Sequence, residues 1–389
     1  MDHAATTACD PRVVSAMLPY LTQAWGNPSS IYAEAREARK GLDGARRTVA
    51  EILGAKPNEV IFTSGGTEAD NLALRGVVEG ARRARAARGI SAPPHVITTR
   101  IEHHAVLHAA EALEHERVRV TYLRVDGEGF VDLGALREAL DEDTVLVSIM
   151  YANNEVGTIE PVAEAARIVK AHDERIAVHT DAVQAAGALS LDVDALGVDL
   201  LSIAAHKFYG PKGVGALYVR GRTPFAPQTV GGSQERNRRA GTENVAGIVG
   251  LATALRLAED ERAERNAHLT LMRDRLLEQI PERIGGAIIT GPRDGAGRLP
   301  NNASFAFEHV EGEAVLLQLD LQGIAASSGS ACTTASLEPS HVLVAMGVPE
   351  RYLRGSLRLT LGVENTMDDI ERVLAVLPEA VSRVRALAT

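Results

Sequence analysis

An α/β chain is predicted, with a mainly parallel seven-stranded sheet, helices on both faces and a smaller α+β layer towards the C-terminal end. Three observations lead there. Short β-branched runs alternate with longer helical patterns through the first two thirds of the chain, as strand, helix, strand units require. After Pro281 the texture changes to shorter strands and Gly-rich turns. The 389 residues, at roughly 150 per domain, suffice for two cores.

In chain order, strands are expected at Glu59 to Thr63, His95 to Thr99, Arg119 to Val125, Thr144 to Met150, Ile176 to Thr180 and Asp199 to Ala204. Helical patterns at Glu68 to Arg88, Ala105 to Glu114, Leu133 to Leu140 and Val162 to Ala171 are long enough to cross over the sheet between them. Gly213 to Val219 follows a Pro-Gly turn and reads as an added antiparallel strand. Thr242 to about Gln279 reads as one long Ala- and Leu-rich helix. The C-terminal layer then holds strands at Ala287 to Thr290, Ala303 to Phe307, Ile324 to Ser327 and Leu357 to Leu361. Its helices are Glu313 to Gln322 and Met367 to Leu387, the latter interrupted at Pro378.

The 41 basic against 51 acidic residues leave a net charge of −10, which argues against whole-surface attraction to nucleic acid or anionic lipid. The Arg-rich stretch from Ala81 to Arg88 reads as a solvated helix face. No apolar run approaches the ~18 residues of a membrane span, and the start lacks a signal-peptide pattern. A soluble, cytoplasmic chain is expected, with no membrane partner and no direct nucleic-acid binding. Only two cysteines occur, Cys9 and Cys332, so no disulfide framework or CxxC metal knuckle is available within the chain.

Several segments carry chemistry. Ser64-Gly65-Gly66-Thr67-Glu68 follows a strand and opens a helix, which is either an anion cradle or an ordinary helix start; it lacks the lysine of a nucleotide P-loop. Lys207 leaves an apolar strand where a loop faces the sheet mouth, and desolvation there lowers an amine pKa so that it can form a Schiff base. Asp181 ends a strand, with Gln184 three residues on; a carboxylate there serves as a helix N-cap or holds a pyridinium proton. Lysine, aspartate and phosphate cradle together are what a pyridoxal phosphate site requires.

His104 and His108 lie four apart on one helical face, but no HExxH order and no third ligand accompany them, so His103 is read instead as an aromatic acid/base at the sheet mouth. Cys332 sits in a small, polar, glycine-containing segment, where a thiolate can travel to a substrate; Cys9 is read as a packing residue. Arg358, on a strand, either clamps a substrate carboxylate or points to solvent.

These residues occur in a recognisable order. Ala4-Ala5-Thr6-Thr7, Gly26-Asn27-Pro28-Ser29-Ser30, Ser64 to Glu68, Glu102-His103, Asn153-Asn154-Glu155, Asp181-Ala182-Val183-Gln184, His206-Lys207 and Ser330-Ala331-Cys332-Thr333 follow one another along nearly the whole chain. The chain thereby resembles the cysteine desulfurases of the NifS/IscS-like type, group I, within the class V aminotransferases of fold type I. The resemblance implies a pyridoxal 5'-phosphate enzyme that converts L-cysteine to L-alanine, leaving a persulfide on Cys332. It implies Lys207 as Schiff-base lysine, His103 stacked on the cofactor ring, Asp181 at the ring nitrogen and Gln184 at the ring hydroxyl. Gly66, Thr67, His206 and Thr242 are implied for the phosphate, and Asn153 and Arg358 for the substrate carboxylate.

Thr242 is implied to reach the neighbouring subunit of a homodimer. The persulfide sulfur would pass to an acceptor protein of iron–sulfur cluster assembly, tRNA thiolation or DNA phosphorothioation. A selenocysteine lyase, another class V aminotransferase, and a non-catalytic sulfur carrier are the competing readings. The implied domains are a large one over 14–255 and a small one of 1–13 and 256–389, which carries the Cys332 loop at about 325–337. The chain departs from the family where a serine commonly precedes the lysine by three residues, since Ala204 stands there.

Overall fold

The structure, a computed structural model, describes residues 1–293, 295–329 and 338–388. Two helices come first, α1 (Pro11–Thr22) and α2 (Ala33–Leu53), then β1 (Val60–Thr63), α3 (Gly66–Ala86), β2 (His95–Thr99), α4 (His104–His115) and β3 (Arg119–Leu123). They are followed by α5 (Leu133–Ala139), β4 (Thr144–Ser148), α6 (Val162–His172), β5 (Ala177–Asp181), α7 (Val193–Leu196), β6 (Leu200–Ala204) and β7 (Gly215–Val219). The remainder is α8 (Gln234–Asn237), α9 (Val245–Asp260), α10 (Arg262–Arg283), β8 (Ala287–Ile289), β9 (Asn302–Phe307), α11 (Gly312–Asp320), α12 (His341–Ala345), α13 (Glu350–Leu353), β10 (Ser356–Thr360) and α14 (Met367–Ala388).

Seven strands form one sheet in the order β1-β7-β6-β5-β4-β2-β3, parallel except for β7, which runs antiparallel to both β1 and β6. The expected mainly parallel sheet, with its added antiparallel strand, is therefore present. Because successive side chains point to opposite faces, each strand feeds two cores. Ile61, Val96, Leu146, Ala177, Leu200 and Leu217 pack under α3 and α4. Their neighbours Phe62, Ile97, Val147, Val178, Leu201 and Tyr218 pack against α2, α6 and α9 on the other face. This is why the central strands read as apolar-rich runs.

A second sheet, β10-β9-β8, is antiparallel and has its own core, in which Phe305, Phe307, Leu357 and Leu359 meet Leu276, Val373 and Leu377. The first residues tie it to the large sheet. Asp2 bridges Thr360, the Ala4 N–H donates to Thr360 Oγ1, and the Thr7 N–H donates to the His206 carbonyl.

Three expectations need correction, and one element was not expected. Ile324 to Ser327 is not a strand, since only Ser327 pairs, as a single bridge with Arg358. The long helix from Thr242 divides at Glu261 into α9 and α10. Pro378 does not interrupt α14; the Leu374 carbonyl that proline leaves without an intrahelical donor accepts instead from Arg283 Nη1 at 3.2 Å. The amphipathic helix α2, which buries Ala38, Leu42, Ala45, Val49 and Leu53, had not been foreseen as an element.

Candidate active site

Each parallel strand delivers its C-terminal end to the same edge of the sheet, where ligands bind in open α/β folds. A cavity of 420 Å³ lies there. β1 leads into Gly66 and Thr67, β2 into His103 and His104, β4 into Met150 and Asn154, β5 into Asp181, and β6 into Ala204, His206 and Lys207, all of them on the cavity wall. Arg358 from the small sheet and Ala4 and Ala5 from the N-terminal strap complete it. A larger 680 Å³ hollow near the opposite strand ends has charges that are already paired, Arg85 with Asp143 and Lys170 with Asp199.

The Lys207 Nζ donates to the carbonyls of Ala4 at 2.6 Å and Ala5 at 2.9 Å. Gln184 Nε2 donates to the same Ala4 oxygen at 3.0 Å. Asp181 is buried, and Oδ1 accepts from the Val183 N–H at 2.8 Å. Burial pushes its pKa up to about 6, opposed by that N–H and by the Lys207 charge, so the carboxylate is ionised at neutral pH.

His103 caps α4, with Nδ1 accepting from the Ala105 N–H at 3.1 Å. Burial first, then the positive Lys207, lowers its pKa to about 4. The ring is therefore neutral near pH 7, and with Nδ1 accepting, its proton sits on Nε2. His206 is likewise lowered to about 4 by burial and Lys207, and its Nδ1 meets Thr6 Oγ1 at 3.1 Å.

Two expected residues stand apart from the cavity, and a third is not described. Asn153 does not reach the cavity: its Nδ2 donates to the Ile101 carbonyl and its Oδ1 accepts from the Glu155 and Val156 N–H groups, so the fully buried side chain holds the loop together. Its neighbour Asn154 is on the wall instead. Thr242 is exposed and away from the cavity, although Arg239, three residues before it, pairs with Glu68 at the start of α3 at 2.7 Å. Cys332 lies outside the described residues, as does most of the 325–337 loop. Ala204 faces the cavity and supplies no hydroxyl there.

The model of the aminotransferase class-V family matches residues 1–373. A curated relative named cysteine desulfurase IscS, from Dictyoglomus turgidum, is 50% identical over 388 residues, covering 100% of this chain and 95% of its own. The chain belongs to the cysteine desulfurases of the class-V aminotransferase family. A solved structure described as a NifS-like protein superposes on this desulfurase with a TM-score of 0.90 and 39% identity, over 98% of each chain. Another, of SspA in complex with cysteine, has a TM-score of 0.78 and 33% identity, covering 92% of this chain and 97% of its own.

The family's enzymes use pyridoxal phosphate, and the cavity of this desulfurase fits that group. The α3 N-terminus is left without a side-chain cap, so its first-turn N–H groups are available to an anion. A Cβ on Gly66 would stand 2.9 Å from Val183 Cγ2, so only glycine lets the backbone approach here. An ionised carboxylate and a lysine line the same space.

Other wall residues carry no expected role in this site, although His104 is weighed with His108 as a metal pair. Asp70, Glu155, His104 and His341 all line the cavity. Asp70 had a readable signal, because it stands one helical turn after Gly66 and must share its face. Glu155 was quoted within Asn-Asn-Glu without a role. It is buried, accepts from Ser340 Oγ at 2.5 Å, and burial raises its pKa to about 7. The His104 ring stacks on His108 at 4.8 Å and meets His341 at 4.7 Å.

Proposed function

We propose that this desulfurase binds pyridoxal 5'-phosphate on Lys207 and uses it to move sulfur from L-cysteine to Cys332, releasing L-alanine. The observation that carries the reading is the convergence of Lys207, Asp181, His103 and Gly66 on one cavity. Bound there, the cofactor supplies an electron sink that acidifies the substrate Cα–H and labilises its C–S bond.

The chain's own groups do the rest. Asp181 holds the ring-nitrogen proton, Gln184 faces the ring hydroxyl, and Gly66, Thr67 and His206 surround the phosphate. Arg358 and Asn154 orient the substrate carboxylate. Lys207 Nζ, once free, takes the Cα proton. His103 stacks on the ring and presents its Nε2–H as a donor. Cys332 Sγ, as thiolate, bonds the substrate sulfur as the C–S bond breaks, and the persulfide passes to an acceptor protein of iron–sulfur assembly, tRNA thiolation or DNA phosphorothioation.

Thr242 reaches the phosphate of a second copy in a homodimer. Exposed apolar side chains at Leu21, Trp25, Ile31 and Val230 support such a contact. Separate apolar cores support a large domain over 14–255 and a small one of 1–13 and 256–389. No helix among the described residues is long and apolar enough to cross a membrane.

The test is Cys332→Ser protein supplied with L-cysteine. Substrate-induced changes in cofactor absorption should persist while alanine and persulfide fail to appear. Normal alanine production there would overturn the reading.

A further inference from the structure

Glu155 lies on the cavity wall in the connection between β4 and α6, is 4% exposed, and has no part in the chemistry set out above. Its backbone is fixed on both sides. The Glu155 N–H donates to Asn153 Oδ1 at 2.8 Å, and the Glu155 carbonyl accepts from Asn302 Nδ2, on β9, at 3.2 Å. From that fixed point the side chain reaches two segments far from it in sequence.

The first leads into the stretch that bears Cys332. Ser327 is bridged to Arg358 of β10, and two residues later the buried Gly329 comes up against the carboxylate. A Cβ on Gly329 would stand 2.3 Å from Glu155 Oε2, closer than side chains pack, so only glycine brings the chain so near that oxygen. The second segment leads away from Cys332. Ser340 Oγ donates to the same Oε2 at 2.5 Å and accepts from the Leu343 N–H at 3.2 Å, which caps α12. Gly329 and Ser340 thus meet on one oxygen atom, and Cys332 lies between them in the chain. It follows Gly329 by three residues, at most about 11 Å of extended backbone.

We propose that Glu155 is a positioning residue for Cys332: its Oε2 clasps Gly329 and Ser340, so that both ends of the segment bearing the thiol are pinned at the cavity wall. The proposal rests on the reading of Cys332 as sulfur acceptor. A thiol tethered at both ends beside the cavity has a higher effective concentration there than one on a released chain. The clasp therefore acts on sulfur transfer and leaves cysteine binding alone.

Two measurements test it. In single turnovers of the holoenzyme with L-cysteine, Glu155→Ala should slow persulfide formation on Cys332 about ten- to a hundredfold, while the substrate-induced change in cofactor absorption keeps its rate within about twofold. Ser340→Ala should do the same, and the double variant should be about as slow as the slower single one, because both remove one bond. Glu155→Gln keeps an acceptor oxygen and should stay within about threefold of wild type. Equal slowing of both readouts, effects that multiply in the double variant, or a Gln variant as slow as the Ala variant overturns the proposal. If Glu155→Ala fails to fold, Ser340→Ala and Glu155→Gln decide.

The second measurement needs no chemistry. In cofactor-free protein, hydrogen exchange at the Leu343 amide should rise about tenfold in Glu155→Ala and stay at the wild-type rate in Glu155→Gln. An unchanged rate in the Ala variant overturns the clasp. Alanine released at the wild-type rate by Cys332→Ser protein would remove the sulfur-acceptor reading and leave the exchange result to decide the clasp itself.

Discussion

Arg358 Nη2 donates to Asp2 Oδ1 over 2.9 Å, joining the small sheet to the second residue of the chain. The guanidinium is 2% exposed, its Nη1 donates to the Asn154 carbonyl, and its Nε has no partner. An arginine so placed has one fork position occupied by a partly exposed carboxylate that an incoming substrate carboxylate can replace.

Asp2→Asn should therefore relieve a competition. A KM for L-cysteine lowered about two- to fivefold with kcat unchanged is expected, in line with the modest worth of a partly exposed pair. Arg358→Gln should raise KM by about a hundredfold, since a buried charge pair is lost. Steady-state kinetics on both variants checks this.

The two adjacent asparagines should separate stability from activity. Asn153→Ala strands the buried Glu155 and Val156 N–H groups, at a cost of about 3–5 kcal/mol, read as a lowered Tm. Asn154→Ala should leave Tm within a few degrees and lower kcat/KM about tenfold or more.

Cofactor uptake should follow Asp181. Its folded pKa of about 6 lies above the ordinary 3.8, so the carboxylate needed at the ring nitrogen is lost as pH falls through about 6. Equilibrium titration of the cofactor-free protein should show affinity steady at pH 7 to 8 and declining below about 6.

Glu160 gives a stability signature far from chemistry. It is buried, Oε1 has no partner, and burial raises its pKa from 4.5 to about 8. A raised acid contributes stability that is complete below about 4.5 and is lost as pH rises through about 8. Glu160→Gln cannot titrate, so its Tm should exceed that of wild type at pH 8 and the difference should close towards pH 5. A difference independent of pH would count against it.

The central strands were legible because they are buried on both faces and so are rich in apolar residues, as at Leu200 to Ala204, where only Ser202 is polar; edge strand β3 is partly exposed. Helix α2 carries a readable signal too, since its buried positions Ala38, Leu42, Ala45, Val49 and Leu53 recur every three or four residues along one face. Pro378 misled because the donor that satisfies the freed Leu374 carbonyl, Arg283, lies 91 residues away. The cavity was legible where a charged residue ends or closely follows an apolar strand, as Asp181 ends β5 and Lys207 lies three residues past β6. Asn153 and Asn154 were not separable, because a loop's choice of which side chain turns inward depends on partners such as Ile101 that no local pattern names.

The cavity wall draws on residues from Ala4 to Arg358, so no contiguous fragment owns it. Such a site is assembled only when distant segments meet, which is the slow part of folding for a chain rich in non-local contacts. The appearance of cofactor colour during refolding should trail the recovery of helical signal, which makes the cofactor a clock for the last event of assembly.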